Sequence, residues 1–263
     1  IDEFQALDGV VGAHAEAGEQ QVGERAGIAG GVRLIIHERR VHHVVAIIVV
    51  FVTADREIRG CLRQTYAKFF GPYAHSGATP RDARQDAVAA TVELLQRLDD
   101  TWSEIEREGG DLVFTVGQLH TDPGFDGPSK IAGETRFVLD FRGLEDGPMR
   151  RAGAAAQRLA DEIGARRHVR FDLGAASYSV PAVMDPGIRR TLNGLAAAHD
   201  IPTLELASGA GHDAAVFSSL GVPTGMIFIR NAHGSHNPDE AMEIEDFARA
   251  TGLLAAYMAQ AAG

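Results

Sequence analysis

Thr135-Arg136-Phe137-Val138-Leu139-Asp140-Phe141-Arg142 alternates between two kinds of side chain. Successive side chains of an extended strand point to opposite sides, so Phe137, Leu139 and Phe141 share one face and Arg136, Asp140 and Arg142 the other. The pattern predicts a strand with one face for a core and a second, half-polar face left over. Before it, residues 112–119 read as another strand. After it, Met149, Ala152, Ala156, Leu159 and Ile163 recur at helical spacing. Further out, residues 66–70 read as a strand, and Val169, Phe171 and Leu173 alternate as a fourth. Between them the turn-rich residues 71–79 lead into a helix whose apolar stripe is Val88, Val92, Leu95, Leu98, Trp102 and Ile105. Thr79 is expected as its N-cap, with Pro80 at the first helical position and Asp82 at the third, and Gly109-Gly110 as its end. The order β-α-β-β-α-β is the split βαβ, ferredoxin-like arrangement, an antiparallel sheet with two helices on one face and the other face free.

Downstream, Asp185 and Pro186 open a helix running to about Ala198, residues 203–206 read as a short strand, and residues 208–213 form a loop into a helix at Ala214. Residues 222–229 are an apolar strand, 230–240 a polar loop, and the chain closes with an amphipathic helix through Phe247, Leu254 and Met258. Strands alternating with helices predict a parallel α/β sheet distinct from the preceding domain. Residues 1–58 form an atypical N-terminal segment. Gly and Glu dominate 9–31, and 33–53 is basic, histidine-bearing and β-branched, without recognisable capping or turn chemistry. The expected fold class is α/β in three parts, 1–58, 59–178 and 179–263, without internal repeats.

A chain of 263 residues with 45% hydrophobic content buries a sizeable core. The formal charge of -11 disfavours a sequence-independent grip on nucleic acid or an anionic membrane and favours small-molecule partners. Cys61 is the single cysteine, which excludes an intrachain disulfide and a cysteine metal cage and suits a cytoplasmic protein. The apolar run 44–52 falls far short of the ~20 residues of a membrane-spanning helix. Because the chain starts at Ile1 rather than Met, its N-terminus is expected to be lost, processed or misassigned.

Four short stretches carry candidate chemistry. Gly234-Ser235-His236-Asn237-Pro238-Asp239-Glu240 follows a buried strand, where open α/β sheets place ligands. His236 there is a metal ligand or a solvated loop histidine, and one imidazole makes no site. Ser208-Gly209-Ala210-Gly211-His212-Asp213 offers amides that cradle a carboxylate, or is a tight turn capped by Asp213. Ser208, His212 and Asp213 lie too close in one loop to be expected to align as nucleophile, base and orienter. Arg142 is either a bidentate clamp for a substrate carboxylate or a surface arginine. His75, in Tyr73-Ala74-His75-Ser76-Gly77-Ala78-Thr79-Pro80, is structural when considered alone, and the H-x-D spacing of His120-Thr121-Asp122 is assigned to a loop.

In order along the chain, 74-AHSGATP-80, 139-LDFR-142, 208-SGAGHDA-214 and 234-GSHNPDE-240 resemble the zinc- or manganese-dependent amidohydrolases that include N-carbamoyl-L-amino-acid hydrolase and allantoate amidohydrolase. These belong to the wider aminoacylase and carboxypeptidase metallopeptidase clan, and the resemblance covers roughly 57–261. It implies that residues 59–178 are a ferredoxin-like lid and dimerisation domain inserted into a catalytic α/β domain, whose C-terminal part is 179–263. It implies a metal-ligand role for His236. His75 corresponds to the lid histidine that enters the partner subunit's active site and stabilises the oxyanion. Arg142 corresponds to the arginine that binds the substrate carboxylate, and Gly209, Ala210 and Gly211 to the loop that helps hold it, with His212 in the same motif. Ser129 stands where many carbamoylases carry a substrate-contacting asparagine. The resemblance also implies a pair of Zn or Mn ions that lower the pKa of bound water to roughly 7, a glutamate proton shuttle, a homodimer and cleavage of linear amide C–N bonds. The products from a carbamoyl substrate are the amino acid, carbon dioxide and ammonia. The chain departs from the family in having no Glu-Glu pair, and His14, His37, His42 and His43 lack the family's other ligand motifs. The expectation is therefore an N-terminally incomplete, inactive chain. The alternatives are an aminoacylase or dipeptidase of the same clan, or a non-catalytic dimerisation or small-molecule-binding module.

Overall fold

The computed structural model describes residues 46–51, by their backbone, and 57–262. His14, His37, His42, His43 and the Gly- and Glu-rich stretch lie outside the described residues. In chain order the elements are β1 (Ala46–Phe51), β2 (Glu57–Ile58), β3 (Gly60–Phe70), β4 (Ala74–His75), α1 (Ala87–Arg107), β5 (Val113–Thr121), β6 (Lys130–Ile131), β7 (Glu134–Gly143), α2 (Asp146–Arg167) and β8 (Arg170–Asp172). They continue as β9 (Ala176–Ser179), β10 (Ala182–Val183), α3 (Pro186–Ala198), β11 (Ala207–Ser208), α4 (Asp213–Ser219), β12 (Thr224–Phe228), β13 (Asn231–Ala232), β14 (Ala241–Met242) and α5 (Ile244–Ala262).

The largest sheet runs β5-β7-β3-β8, all antiparallel, with β9 also paired to β3. β8 lies along one half of β3 and β9 along the other. Gly174 between them takes φ +66°, a left-handed conformation that costs glycine least. The expected β-α-β-β-α-β order is present. Phe137, Leu139 and Phe141 are buried on one face of the sheet, where Ala67, Phe69, Met149, Ala156, Leu159 and Ile163 join the same core. The half-polar face of β7 stays uncovered by α1 and α2. Burial of each large side chain in such a core contributes about 1.5–3 kcal/mol.

Several local expectations are corrected. β3 begins at Gly60, not at residue 66, because the β3–β7 register shifts between Gln64 and Ala67. One extra residue there breaks the alternation that marks a strand. The first helix starts at Ala87, not Pro80. Asp86 is the N-cap, its carboxylate accepting from Ala89 N–H at 3.0 Å, while Arg81–Ala83 form a separate 3-10 turn. Thr79 instead donates its hydroxyl to the His75 carbonyl. The buried stripe of α1 is Ala87, Ala90, Thr91, Leu94, Leu98 and Ile105, leaving Val88 and Val92 exposed. The small Ala90 and the hydroxyl of Thr91, bonded to Thr135, suit the close helix–sheet contact better than valine does. α5 shows the same offset: Ala250, Leu253 and Tyr257 are buried while Phe247 and Met258 are exposed.

The remaining elements form an α/β layer. β12 pairs in parallel with β1, and β11 in parallel with β2, which pairs antiparallel with β10. α3 starts as expected, with Asp185 capping Ile188 N–H and Pro186 at the first position. Residues 203–206 form no strand. Leu204 and Leu206 are exposed, and the short strand lies one step later at Ala207–Ser208, where β2 supplies a pairing edge. Ile188, Leu192, Ile227, Ile229, Ala250, Leu253 and Tyr257 make one core here; Ile58, Ala182, Met184, Ala214 and Met226 make another. No helix among the described residues is long and apolar enough to cross a membrane.

The position of the α1 cap is testable by chemical denaturation. Asp86→Ala is expected to cost about 1 kcal/mol, whereas Thr79→Ala costs less than about 0.5 kcal/mol. The reverse ranking would return the helix start to Pro80.

Candidate active site

The bare face of the sheet turns toward the 208–212 loop. Arg142, near the end of β7, donates from Nε to Asp140 Oδ1 at 2.9 Å and from Nη2 to Oδ2 at 3.2 Å, while Nη1 reaches the Gly209 carbonyl at 3.3 Å. Asp140 is also held by Arg63 Nε at 2.8 Å. Burial pushes the Asp140 carboxyl up, but hydrogen bonds from Arg142 and then Arg63 outweigh that and hold it below the ordinary carboxylate value. The Arg142 guanidinium is held above its ordinary value, first by its hydrogen bond to Asp140 and against the desolvation of burial. Alternation explains the meeting: Asp140 and Arg142 are two apart on β7, and Arg63 and Cys61 sit opposite them on β3.

The loop is ordered from within. Ser208, buried at the end of β11, accepts from Ala210 N–H at 3.2 Å and lies 2.7 Å from His212 Nε2. His212 sets its ring edge-on against Phe228, with centroids 5.3 Å apart, and burial pushes its pKa below the ordinary value while Asp213 opposes the shift. The Ser208–His212 distance is that of a nucleophile and base, closer than the expectation for one loop. Among the described residues no third member of a triad is found: Asp213 makes no hydrogen bond to the imidazole, and Ser208 is buried. Asp213 is the first residue of α4 rather than its cap; His212 occupies the cap position without a side-chain cap bond.

His75 belongs to a second group. It sits in β4, paired with Lys130 in β6, and Ser76 N–H donates to the Ser129 carbonyl at 2.9 Å, so His75 and Ser129 are neighbours. His75 Nδ1 accepts from Gly77 N–H at 3.1 Å and Ala78 N–H at 3.2 Å. With two amide N–H groups directed at Nδ1, Nε2 is the nitrogen left to donate outward from an exposed ring. His120 and Thr121 end β5 rather than lying in a loop, and Asp122 accepts from Gly124 N–H at 2.9 Å.

His236 stands in a third place, the exposed loop between β13 and β14. His233, Gly234 and His236 all have positive φ, 67°, 75° and 60°, an uncommon backbone for histidine. The Glu240 carboxylate is lowered by hydrogen bonds from Asn231, Ser235 and the His236 amide, so it is taken up in shaping the loop. Among the described residues no three His, Cys, Asp or Glu side chains converge as a cation site, and those near His236 do not fit a divalent pair. No hydrogen bond or ion pair among the described residues joins His236, or the His75–Ser129 pair, to the Arg142 group.

Sequence reasoning missed Arg63 and the coupling of Ser208 to His212. Arg63 lies on the near side of the β3 register shift, outside the strand as read. The Arg63–Asp140 pair was detectable only through the register of two strands 77 residues apart in sequence.

A two-helix antiparallel sheet beside an α/β layer, with Arg142 and a histidine-bearing glycine loop where the two meet, makes this a two-part α/β protein with a polar site at the junction. The model of peptidase family M20/M25/M40 matches residues 2–260, and the chain belongs to this family of hydrolases. The match takes in the stretch before residue 57, which the motif resemblance left out. N-carbamoyl-L-amino acid amidohydrolase of Geobacillus stearothermophilus is 33% identical over 179 residues, covering 68% of this chain and 42% of that protein. Allantoate amidohydrolase of Escherichia coli (strain K12) is 30% identical over 196 residues, 73% of this chain and 46% of the relative. This chain thus spans less than half the length of these curated relatives. The crystal structure of a hydantoinase/carbamoylase family amidase from Burkholderia vietnamiensis aligns with TM-score 0.69 at 22% identity, over 82% of this chain and 54% of that one, a likeness of fold.

The depressed pKa of His212 has a sign that can be checked. A histidine that protonates less readily when folded contributes stability above its unfolded pKa, and that contribution is lost as pH falls through the folded value. Unfolding free energy is expected to drop as pH falls below about 6.5, and His212→Gln to flatten part of that slope. Ring NMR should place the His212 midpoint below 6.5; a midpoint above it would contradict the burial of this imidazole.

Proposed function

We propose that the chain acts within a metal-dependent amidohydrolase that cleaves linear amide C–N bonds of N-carbamoyl amino acids or ureido acids such as allantoate. The observation that carries this reading is Arg142. A buried carboxylate holds its guanidinium, and its outer nitrogen rests against a glycine-loop carbonyl at 3.3 Å. That presents a fixed cation on a sheet face that no helix covers, suited to a substrate α-carboxylate. In this reading Gly209, Ala210, Gly211 and His212 belong to the loop that helps hold the same carboxylate. Ala210 N–H is already taken by Ser208, which shapes the loop for its neighbours.

In this reading the sheet formed by β3, β5, β7, β8 and β9 with α1 and α2 is a lid and dimerisation domain, residues 59–178, and 179–263 belong to the catalytic α/β domain. His75, with Nε2–H outward, donates to the scissile carbonyl oxygen as negative charge develops, in the partner subunit of a homodimer. Ser129 beside it contacts the same substrate. A zinc or manganese pair, if bound in the complete enzyme, would supply activated water, and His236 would be the ligand this chain contributes. The remaining donors of such a pair are not among the described residues near His236. The cytoplasm is the proposed compartment.

Two outcomes check the reading. In isothermal titration, N-carbamoylglycine is expected to bind at least about tenfold more tightly than N-carbamoylglycinamide, whose carboxylate is replaced by a neutral amide. Arg142→Ala should remove the difference, since a charge-assisted hydrogen bond contributes about 1.5–3 kcal/mol. Equal affinities in the wild-type chain, or no binding of either, would refute it. Sedimentation equilibrium is expected to report a dimer; a monomer at all concentrations would refute the role given to His75.

A further inference from the structure

Asp140 is asked to do more than a surface ion pair needs. Its side chain is 11% exposed, and guanidinium groups from two different strands converge on it. Burying a carboxylate is costly unless its oxygens are satisfied, and here both are: Oδ1 by Arg142 Nε, and Oδ2 by Arg142 Nη2 and both Nε and Nη2 of Arg63. Two cations on one anion leave a net charge of one positive at this point of the sheet face.

The donors differ in what they leave over. Arg142 spends its Nε–Nη2 edge on Asp140 and directs Nη1 to the Gly209 carbonyl. Arg63 directs Nε and Nη2 to a single oxygen, its Nη1 has no partner among the described residues, and its side chain is 41% exposed. The end of the Arg63 guanidinium is therefore the freer of the two. The strand register keeps the two arginines together: Arg63 lies directly opposite Asp140 and Cys61 opposite Arg142, so the two arginines are diagonal neighbours on one face.

We infer that Arg63 is a second carboxylate-binding residue of the Arg142 subsite, and that Asp140 is the positioning residue that aims both guanidinium groups at it. The inference rests on the proposed role of Arg142. The subsite takes one carboxylate, whose charge balances the uncompensated positive charge, and the free end of the Arg63 guanidinium gives that carboxylate a second point of attachment beside Arg142. Asp140 itself does not touch the substrate. It prevents each arginine from swinging away to solvent, which reduces the side-chain entropy lost on binding.

The test uses the whole chain and the acid and amide probes named above. Arg63→Ala is expected to weaken N-carbamoylglycine about tenfold and leave N-carbamoylglycinamide unchanged, with partial recovery in Arg63→Lys. Asp140→Asn separates positioning from charge. Removing a negative group next to the subsite tightens acid binding if only charge matters, and weakens it if the arginines must be held; weakening is expected, with recovery in Asp140→Glu. Unchanged acid affinity in Arg63→Ala, tighter acid binding in Asp140→Asn, or equal losses for acid and amide would each overturn the inference. If Asp140→Asn fails to fold, as judged by circular dichroism, the exposed Arg63 variants decide alone. Arg142→Ala keeps the two readings apart. If it abolishes discrimination while Arg63→Ala does not, the Arg142 subsite stands and the second arginine falls; if it leaves discrimination intact, both fall.

Discussion

The Asp140 carboxylate holds two guanidinium groups at a depth where an unpaired charge would destabilise the sheet, and it can do so only because the neighbouring positions of β7 face the other way. Phe137, Leu139 and Phe141 anchor that strand in a core closed by α1 and α2. β7 sits between β3 and β5, so neither edge of it is free to fray. The rigidity of the polar face is thus inherited from the apolar one. A charged group on a central strand with its reverse side packed is held more tightly than one on a loop, which is the usual requirement for a preorganised binding group.

The register shifts on both sides of β7 decide which residues meet. β3 gains a residue between Gln64 and Ala67 and β5 between Val116 and Leu119, opposite the same two-residue step of β7. Without the shift in β3, one end of that strand would turn its side chains to the other face. Arg63 would then be separated either from Asp140 or from the alternation that buries Ala67 and Phe69. The bulge lets one strand serve a core and the Asp140 ion-pair cluster, whose periodicities are out of phase.

This also explains what could be read from the sequence and what could not. β7 and α2 were legible because their apolar periods run unbroken, and α3 because Asp185 and Pro186 supply both start signals. The start of β3 was hidden by its bulge. The α1 boundary went astray because Thr79-Pro80 and Asp86 both carry cap chemistry, and tertiary contact chose the later one. In α1 and α5 the largest apolar residues were taken as the buried stripe, whereas alanines and a threonine occupy much of the close contact with the sheet. Of the site, Arg142 and the 208–212 loop could be named as types, but their meeting spans 67 residues and depends on how two layers abut. Residues 203–206 alternate like a strand yet lack a neighbouring edge among the described residues, and alternation alone supplies no hydrogen-bond partner.

The three groups of candidate residues rest on supports of different stiffness. Arg142 and Arg63 sit on paired strands over a packed core. His75 sits on a two-residue bridge, with its ring held by the amides of Gly77 and Ala78 rather than by packing. His236 lies in a loop with three left-handed residues, stabilised by Glu240. Binding the carboxylate needs fixed geometry before substrate arrives, since every freedom left in the arginines is lost on association. In the roles proposed for His75 and His236, a carbonyl donor and a metal ligand would approach a reacting group from other directions, and loops at the rim of a rigid scaffold suit that approach. In the proposed reading, the order of stiffness would match the order of engagement of a small acid: the carboxylate by the sheet, then the amide by groups carried on less constrained backbone.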